Sequence, residues 1–246
     1  MFEIQDWGLI DYQLAWDRQK DLVSIVQKER NRNILIFCEH PSVITIGKSG
    51  TADNLIASSG FLTKAGIKVI ETDRGGDVTL HNPQQLVGYM VFDLSSLKED
   101  LHWFLRSIEN IIIDLLSGFN INSHTIEGMT GVWVQNKRKI CAMGMHCSRW
   151  VTSHGFALNV NNNLDEFNYI VPCGIKNKEV SSISKETGMV IDIEKVNPTD
   201  FGDASWDFRQ LTAYKDLKKK YTNPYTLAGF PFIVSLTELM RAKKSG

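Results

Sequence analysis

Gly131-Val132-Trp133-Val134-Gln135-Asn136-Lys137-Arg138-Lys139-Ile140-Cys141-Ala142-Met143-Gly144-Met145-His146 is the stretch whose reading decides the fold. Its apolar runs, 131–134 and 139–146, are strand-like, and Asn136-Lys137 between them carries turn chemistry. A third strand-like run, 150–160, follows at once. Upstream, 99 to about 116 reads as a helix with Leu101, Phe104, Leu105, Ile108, Ile112 and Leu115 at helical spacing, stopped near Gly118. Further back, 34–38, 43–46, 67–71, 77–81 and 85–93 are short strands rich in Val, Ile, Thr and Tyr. Residues 11 to about 30 form an amphipathic helix with Leu14, Leu22, Val23, Ile25 and Val26 as its inner face. Helices bracket strands instead of alternating with them. An α+β layered arrangement is therefore expected, not a doubly wound parallel sheet. Two further helices are expected at 206–220 and 232–243, separated by Asn223-Pro224.

The chain has 246 residues, 43% hydrophobic and 22% charged, with a formal net charge of −1. That balance gives no bulk attraction to nucleic acid or to an anionic membrane, and no partner of either kind is expected. No apolar run reaches the length of a membrane span, and the acidic start is unlike a signal peptide. Cys38, Cys141, Cys147 and Cys173 form no CxxC pair, and the six histidines are scattered. No metal site, cofactor or disulfide framework is expected, and a reduced, cytoplasmic location is. With no linker or repeat, residues 1–246 are read as one domain with a C-terminal extension from about 195.

Four segments carry candidate chemistry. In Val171-Pro172-Cys173-Gly174-Ile175, proline and glycine frame a thiol on a sharp corner with little surrounding bulk. The alternative is a small buried hydrophobe, the usual fate of a free cysteine. Arg74-Gly75-Gly76-Asp77-Val78-Thr79-Leu80-His81 sets two glycines between strands, where backbone N–H groups can face an anion or carbonyl; a plain Gly-Gly turn is the alternative. The pattern is neither a phosphate loop nor a dinucleotide fingerprint. Lys139 enters an apolar strand, and regular alternation places it on the same face as Cys141 and Met143. It either snorkels outward or sits in a pocket, where its charge would favour a thiolate. In His154-Gly155-Phe156-Ala157-Leu158-Asn159-Val160, small residues within a strand line a slot or mark a bulge.

Taken in order, these segments resemble the octanoyltransferases of lipoate biosynthesis. Arg74 to His81, Gln85-Leu86-Val87-Gly88-Tyr89, Lys139 to Gly144, Arg149 to Val160 and Val171 to Ile175 carry the likeness, with Glu39-His40-Pro41 as an early match. It covers roughly residues 5 to 185. The resemblance implies a biotin/lipoate protein ligase-like fold, with mixed or antiparallel sheets flanked by helices. It also implies octanoyl transfer from acyl carrier protein to a lysine of lipoyl-accepting proteins: lipoyl domains of 2-oxoacid dehydrogenase E2 subunits and the glycine cleavage H protein. Cys173 matches the acyl-thioester nucleophile and Lys139 its acid/base partner. Arg74, Gly75, Gly76, Asp77, Val78, Thr79, Leu80 and His81 match segments that contact the acyl substrate, as do Ala142, Met143, Gly144, Gly155, Phe156 and Ala157. No cofactor is implied, and a monomer is expected. Three departures stand out: Asn82-Pro83-Gln84 where the family usually has Gly-Pro-Gly, Met90 for a proline, and Met145-His146 where Val-Arg is typical.

Phe156, Leu158, Met143 and Leu80 are expected walls of an acyl tunnel, and Gly75, Gly76 or Gly144 expected oxyanion donors. Lys137, Arg138, Lys176 and Lys178 are expected to dock an acidic partner, whereas Lys215 with Lys218-Lys219-Lys220 reads as a solvated run. Rival functions are an ATP-dependent ligase on the same fold, a thiol hydrolase using His81 or His154, and a binding module without chemistry.

Overall fold

The computed structural model of the chain describes residues 2–171, 179–193 and 196. Cys173, Lys176, Lys178 and both C-terminal helices expected from sequence lie outside these residues. In chain order the elements are β1 (Phe2–Leu9), α1 (Tyr12–Glu29), β2 (Asn33–Glu39), β3 (Val43–Ile46) and α2 (Ser59–Lys64). Then come β4 (Lys68–Glu71), β5 (Val78–His81), β6 (Gln85–Phe92), α3 (Leu101–Gly118) and β7 (Ser123–Ile126). The last are β8 (Met129–Val134), β9 (Arg138–Ser148), β10 (Val151–Asn159), β11 (Glu179–Val180) and α4 (Ile183–Thr187).

The larger sheet has the order β1-β2-β6-β10-β9-β8-β7, with β11 also paired to β9, and the smaller one the order β4-β3-β5. β1 runs parallel to β2 and β11 to β9, while the other neighbours of the large sheet are antiparallel. This is the expected mixed sheet flanked by helices.

β2 and β6 read as unbroken apolar runs because a helix covers each face of the sheet. Ile34, Ile36, Cys38, Val87, Tyr89 and Val91 meet Tyr12, Ala15 and Val26 of α1. Leu35, Phe37, Leu86, Met90 and Phe92 meet Phe104, Ile108, Ile112 and Leu115 of α3. A third cluster, including Ile44, Leu80 and Phe167, lies against the small sheet.

Two local expectations change. The inner face of α1 is Tyr12, Ala15, Gln19 and Val26, whereas Leu14 and Ile25 are exposed. The expected Val26 is buried there and Leu22 and Val23 pack against its cluster, but the helix also seats an aromatic and an amide against the sheet, which counting apolar residues does not find. The β8–β9 turn is centred one residue early, on Gln135 (φ 53°) and Asn136 (φ 55°), with Lys137 N–H donating to the Val134 carbonyl at 3.2 Å. Two successive positive φ values are those of a tight hairpin turn that matches strand twist. β1, α2, β7, β11 and α4 had no sequence expectation. The half-exposed pattern of β1 carries neither an apolar run nor a clean alternation.

Candidate active site

The loop 74–77 joins β4 to β5 and lies on β9. Gly75 N–H donates to the Met145 carbonyl at 3.0 Å, and the Gly75 carbonyl stands 2.5 Å from where a Cβ on Gly144 would be. Any side chain at Gly144 would lift the loop off the strand. Arg74, expected as a donor to ligand, is buried and organises its own loop. Its Nε donates to Thr45 Oγ1 (3.0 Å), and Nη2 to the carbonyls of Thr45 (2.8 Å) and Asp77 (2.6 Å). Asp77 is bound as well, accepting from Asn54 Nδ2 at 2.6 Å and from Val78 N–H at 2.7 Å.

Beneath this loop a cavity opens against the α1 side of the large sheet. Of the expected contact residues, Arg74, Gly76, Asp77, Val78, Thr79, His81, Ala142, Met143, Gly144, Gly155, Phe156 and Ala157 line it. Gly75 and Leu80 are not among its lining residues. Gly75 is the tether to β9, and Leu80 points into the small-sheet core. Leu158, expected as a wall, belongs to the α3 core, and Met143 and Phe156 pack against that core too. Tyr12, Val87, Tyr89 and His154 complete the lining. No local sequence pattern marked Tyr12.

At one end of the cavity sits a buried cluster of polar rings. His40 Nδ1 bonds the Ile10 carbonyl at 2.7 Å, so that nitrogen carries the proton and Nε2 accepts from Tyr89 Oη at 2.7 Å. His81 Nδ1 donates to Gln85 Oε1 at 2.8 Å, and its ring stacks on Tyr12 at 5.6 Å. Burial pulls His40 down to about 4 and His81 to about 3. Both are neutral at neutral pH. His154, buried at φ 59°, receives its backbone orientation from Gln19 Oε1, which accepts its N–H at 3.0 Å. Its Nε2 lies 2.7 Å from Asp73 Oδ1, and Trp16 Nε1 reaches the same oxygen at 3.2 Å. The bond from His154 holds Asp73 down at about 2, while burial pulls His154 itself below its ordinary value. The pair is thus a neutral imidazole donating to a carboxylate.

Lys139 lies on β9 outside the cavity lining, and its face is not the expected one. On β8, Val132 pairs with Cys141 but Trp133 pairs with Lys139, so β9 carries one extra residue, Ile140. A bulge of this kind reverses the faces beyond it. Val132, Val134 and Cys141 belong to the α3 core. Lys139 instead shares the opposite face with Trp133, its Nζ 4.7 Å from the ring centroid, and with Ala142, which lines the cavity. The Lys139 side chain does not itself line the cavity.

The chain leaves the described residues at Val171, whose N–H donates to the Asn54 carbonyl at 2.8 Å. It returns at β11, where Val180 pairs with Lys139 and Ser181 N–H donates to the Lys139 carbonyl at 2.9 Å. Burial pushes the thiols of Cys38, Cys141 and Cys147 up, which makes each a poor thiolate. Of the expected docking cations, Lys137 is paired with Glu179 at 2.5 Å and Arg138 with Glu186 at 2.8 Å. These pairs hold β11 and α4 to β9, so neither cation is an unengaged docking group.

The sequence matches the lipoyl protein ligase A/B catalytic domain family over residues 11–199. It is 47% identical to an octanoyltransferase of Cytophaga hutchinsonii, across 78% of this chain and 86% of that one. It is 43% identical to an octanoyltransferase of Flavobacterium psychrophilum, across 79% and 89%. The chain belongs to the octanoyltransferase family. It is an enzyme of the acyltransferase class. Among solved structures, its fold is similar to a bipartite lipoate protein ligase from Thermoplasma acidophilum, with TM-score 0.62 and 16% identity over 79% of this chain and 78% of that one. Lipoate-protein ligase A bound with ATP is similar at TM-score 0.60 and 14% identity, over 80% of each chain. The fold is that of the lipoate protein ligases, as expected.

In this octanoyltransferase the departures after His81 are accommodated locally. Gln84, where the resemblance leads one to expect glycine, adopts φ 67°. Its N–H donates to Glu39 Oε2 at 2.5 Å, and its side-chain oxygen accepts from Asn161 Nδ2 at 2.9 Å. Asn82 donates to the Asn163 carbonyl at 2.8 Å and to Glu166 at 3.1 Å, and accepts from Asn162 at 2.9 Å. Met90 fills the α3 core. His146 sits near the Asp73 carboxylate at 3.9 Å and Lys48 at 3.4 Å. No helix among the described residues is long and apolar enough to cross a membrane.

Proposed function

We propose that this octanoyltransferase moves an octanoyl group from acyl carrier protein to a lysine of lipoyl-accepting proteins. The route is a thioester on Cys173, with Lys139 as acid and base. First the Cys173 thiolate attacks the carrier thioester, a new C–S bond forms, and the carrier's thiol leaves with a proton from the Lys139 ammonium. Then the acceptor lysine amine attacks the enzyme thioester, an amide forms, and the neutral Lys139 takes the amine's proton as the Cys173 thiolate departs. Gly76 and Gly144 remain the oxyanion-donor candidates, since Gly75 N–H is engaged with Met145.

The observation that carries this reading is the β8–β9 bulge. It brings Lys139 to the cavity face, beside the point where the Cys173 segment rejoins the sheet at Val180. The buried, neutral state of His40 and His81 and the high thiol values of the described cysteines support it further. An adenylate-forming ligase would share the fold, but the 47% relative is an octanoyltransferase.

The acceptor assignment to lipoyl domains and H protein, and the reading of the chain as one monomeric catalytic unit with an extension, come from the family likeness. Intact-mass spectrometry after mixing with octanoyl carrier protein, without ATP, tests the mechanism. An octanoyl adduct is expected on the wild type and not on Cys173→Ser. Activity that requires ATP and leaves no adduct would overturn it in favour of the ligase.

A further inference from the structure

Glu109 stands on the packed side of α3 with 0% of its surface exposed. Removing a carboxylate from water carries a penalty of several kcal/mol, which partners must offset. It has two. Arg106, on the same helix, donates from Nη1 to Oε2 at 2.6 Å, and the backbone N–H of Gly131 donates to Oε1 at 2.7 Å. The first bond demands no burial, because the Arg106 side chain is itself 46% exposed. The second reaches across the core to Gly131, next to Val132, the last residue of β8 paired before the bulge.

Gly131 adopts φ +115°, a conformation that favours glycine, and a Cβ there would stand 2.5 Å from the Cys141 carbonyl oxygen and 3.6 Å from Lys139 Cδ. The next residues, Val132 and Trp133, pair with Cys141 and Lys139, skipping Ile140. Gly131 thus lies one residue ahead of the last pair before the slip, packed against the Cys141 carbonyl and the Lys139 stem that flank it, and Glu109 supplies the acceptor for its amide.

We propose that Glu109 is a positioning residue for octanoyl transfer: its carboxylate holds Gly131 in the geometry that keeps the β8–β9 bulge, and so keeps Lys139 on the cavity face. The competing arrangement is the regular ladder, in which Lys139 shares the α3 side with Cys141 and Met143. The proposal rests on the reading of Lys139 as acid and base.

The test compares Glu109→Gln, Glu109→Asp and Glu109→Ala in the full chain, with octanoyl carrier protein as donor and a lipoyl domain as acceptor. Glutamine keeps an oxygen where Oε1 stands, and kcat should stay within about threefold of wild type. Aspartate keeps the charge but retracts the carboxylate by a methylene, and kcat should fall about tenfold. Alanine removes the acceptor, and kcat should fall about 100-fold, the scale of an ångström's displacement of a reacting group. KM for the donor should move less than about threefold in all three, since the cavity lining is untouched.

In a Lys139→Ala background, measured in single turnover, Glu109→Ala should cost less than about twofold more, because both changes disable the same group. Melting temperature and near-ultraviolet circular dichroism report folding, and if the alanine variant does not fold, the aspartate-against-glutamine contrast decides. Glutamine as impaired as alanine, a folded alanine variant at wild-type kcat, or losses that multiply in the double variant would each overturn the role of Glu109. If glutamine and aspartate had equal kcat, the proposal would fail too. Full activity in Lys139→Ala alone would overturn the Lys139 assignment, and this proposal with it, and is read from that variant independently.

Discussion

The two ends of the cavity handle polar side chains in opposite ways. At the α1 end, His40, His81, Tyr12 and Tyr89 are buried and held neutral: His40 bonds the Ile10 carbonyl and Tyr89, His81 bonds Gln85, and Tyr12 stacks on His81. At the β9 end, beyond the cavity lining, Lys139 is only partly buried and lies over the Trp133 ring; it is the acid and base of the proposed route. Desolvation disfavours a charged ring with no counter-ion, so the histidines build the slot's walls. A lysine at a strand end keeps its charge near solvent and can lend it. The resemblance marks both ends alike, and the proposed route assigns proton transfer to the β9 end alone.

Substitutions can break that contrast. The largest effect is expected at the β9 end. Cys173→Ser should lower octanoyl transfer by about a thousandfold or more, since a hydroxyl is a far weaker nucleophile at neutral pH. Cys38→Ala, Cys141→Ala and Cys147→Ala should each keep most activity. Lys139→Arg retains the charge but cannot give up its proton, so transfer onto the acceptor amine should suffer more than acylation of the enzyme. Rapid-quench measurement of each half-reaction checks this, and equal losses would point to a misplaced cation instead.

At the ring end the expected loss is in stability. His40→Ala leaves the Ile10 carbonyl and Tyr89 hydroxyl unpaired in the core, and should cost about 2–4 kcal/mol in urea unfolding. Its kcat should change far less than that of Lys139→Arg; a reversed order would sink the contrast.

The same rings predict a pH dependence. Because the folded values of His40 and His81 lie below the ordinary 6.5, the unfolded chain binds protons that the folded one refuses. Their stabilisation is full above pH 6.5 and is lost as pH falls, through about 4 for His40 and about 3 for His81. The depressed Asp73 adds loss in the same direction between about 4 and 2. For His40 the total is on the order of 3 kcal/mol, and His40→Ala should flatten that part of a stability-against-pH curve.

The smallest effect is expected at Gln84→Gly. Glycine relieves the positive φ but gives up the bond from Asn161, so stability should stay within about 1 kcal/mol of wild type. A larger loss would show that the side chain, not the backbone geometry, holds this loop.

Much of this was legible in the chain itself. β3 was bounded correctly at Val43 and Ile46 because an apolar, β-branched run sits between Pro41 and Gly47. The small residues at 154–157 were read as a possible slot, and the resemblance added the loop at 74–81 and Ala142 to Gly144; all but Gly75 and Leu80 of these line the cavity. What was missed has a common cause. Tyr12, Gln19 and Asp73 reach the site only once α1 is laid on the sheet, and no local pattern reports that docking.

Residue order alone determined most of the central strands, the β8–β9 turn to within one residue and the family motifs, because period-two burial, turn chemistry and glycine spacing act over a few residues. Tertiary structure decided which face Lys139 takes and which polar rings stay neutral. The first depends on the register slip that sets Val132 against Cys141 but Trp133 against Lys139, and the second on how fully packing excludes water. Both are set by contacts between distant segments, and regular alternation along one strand gave the opposite answer for Lys139.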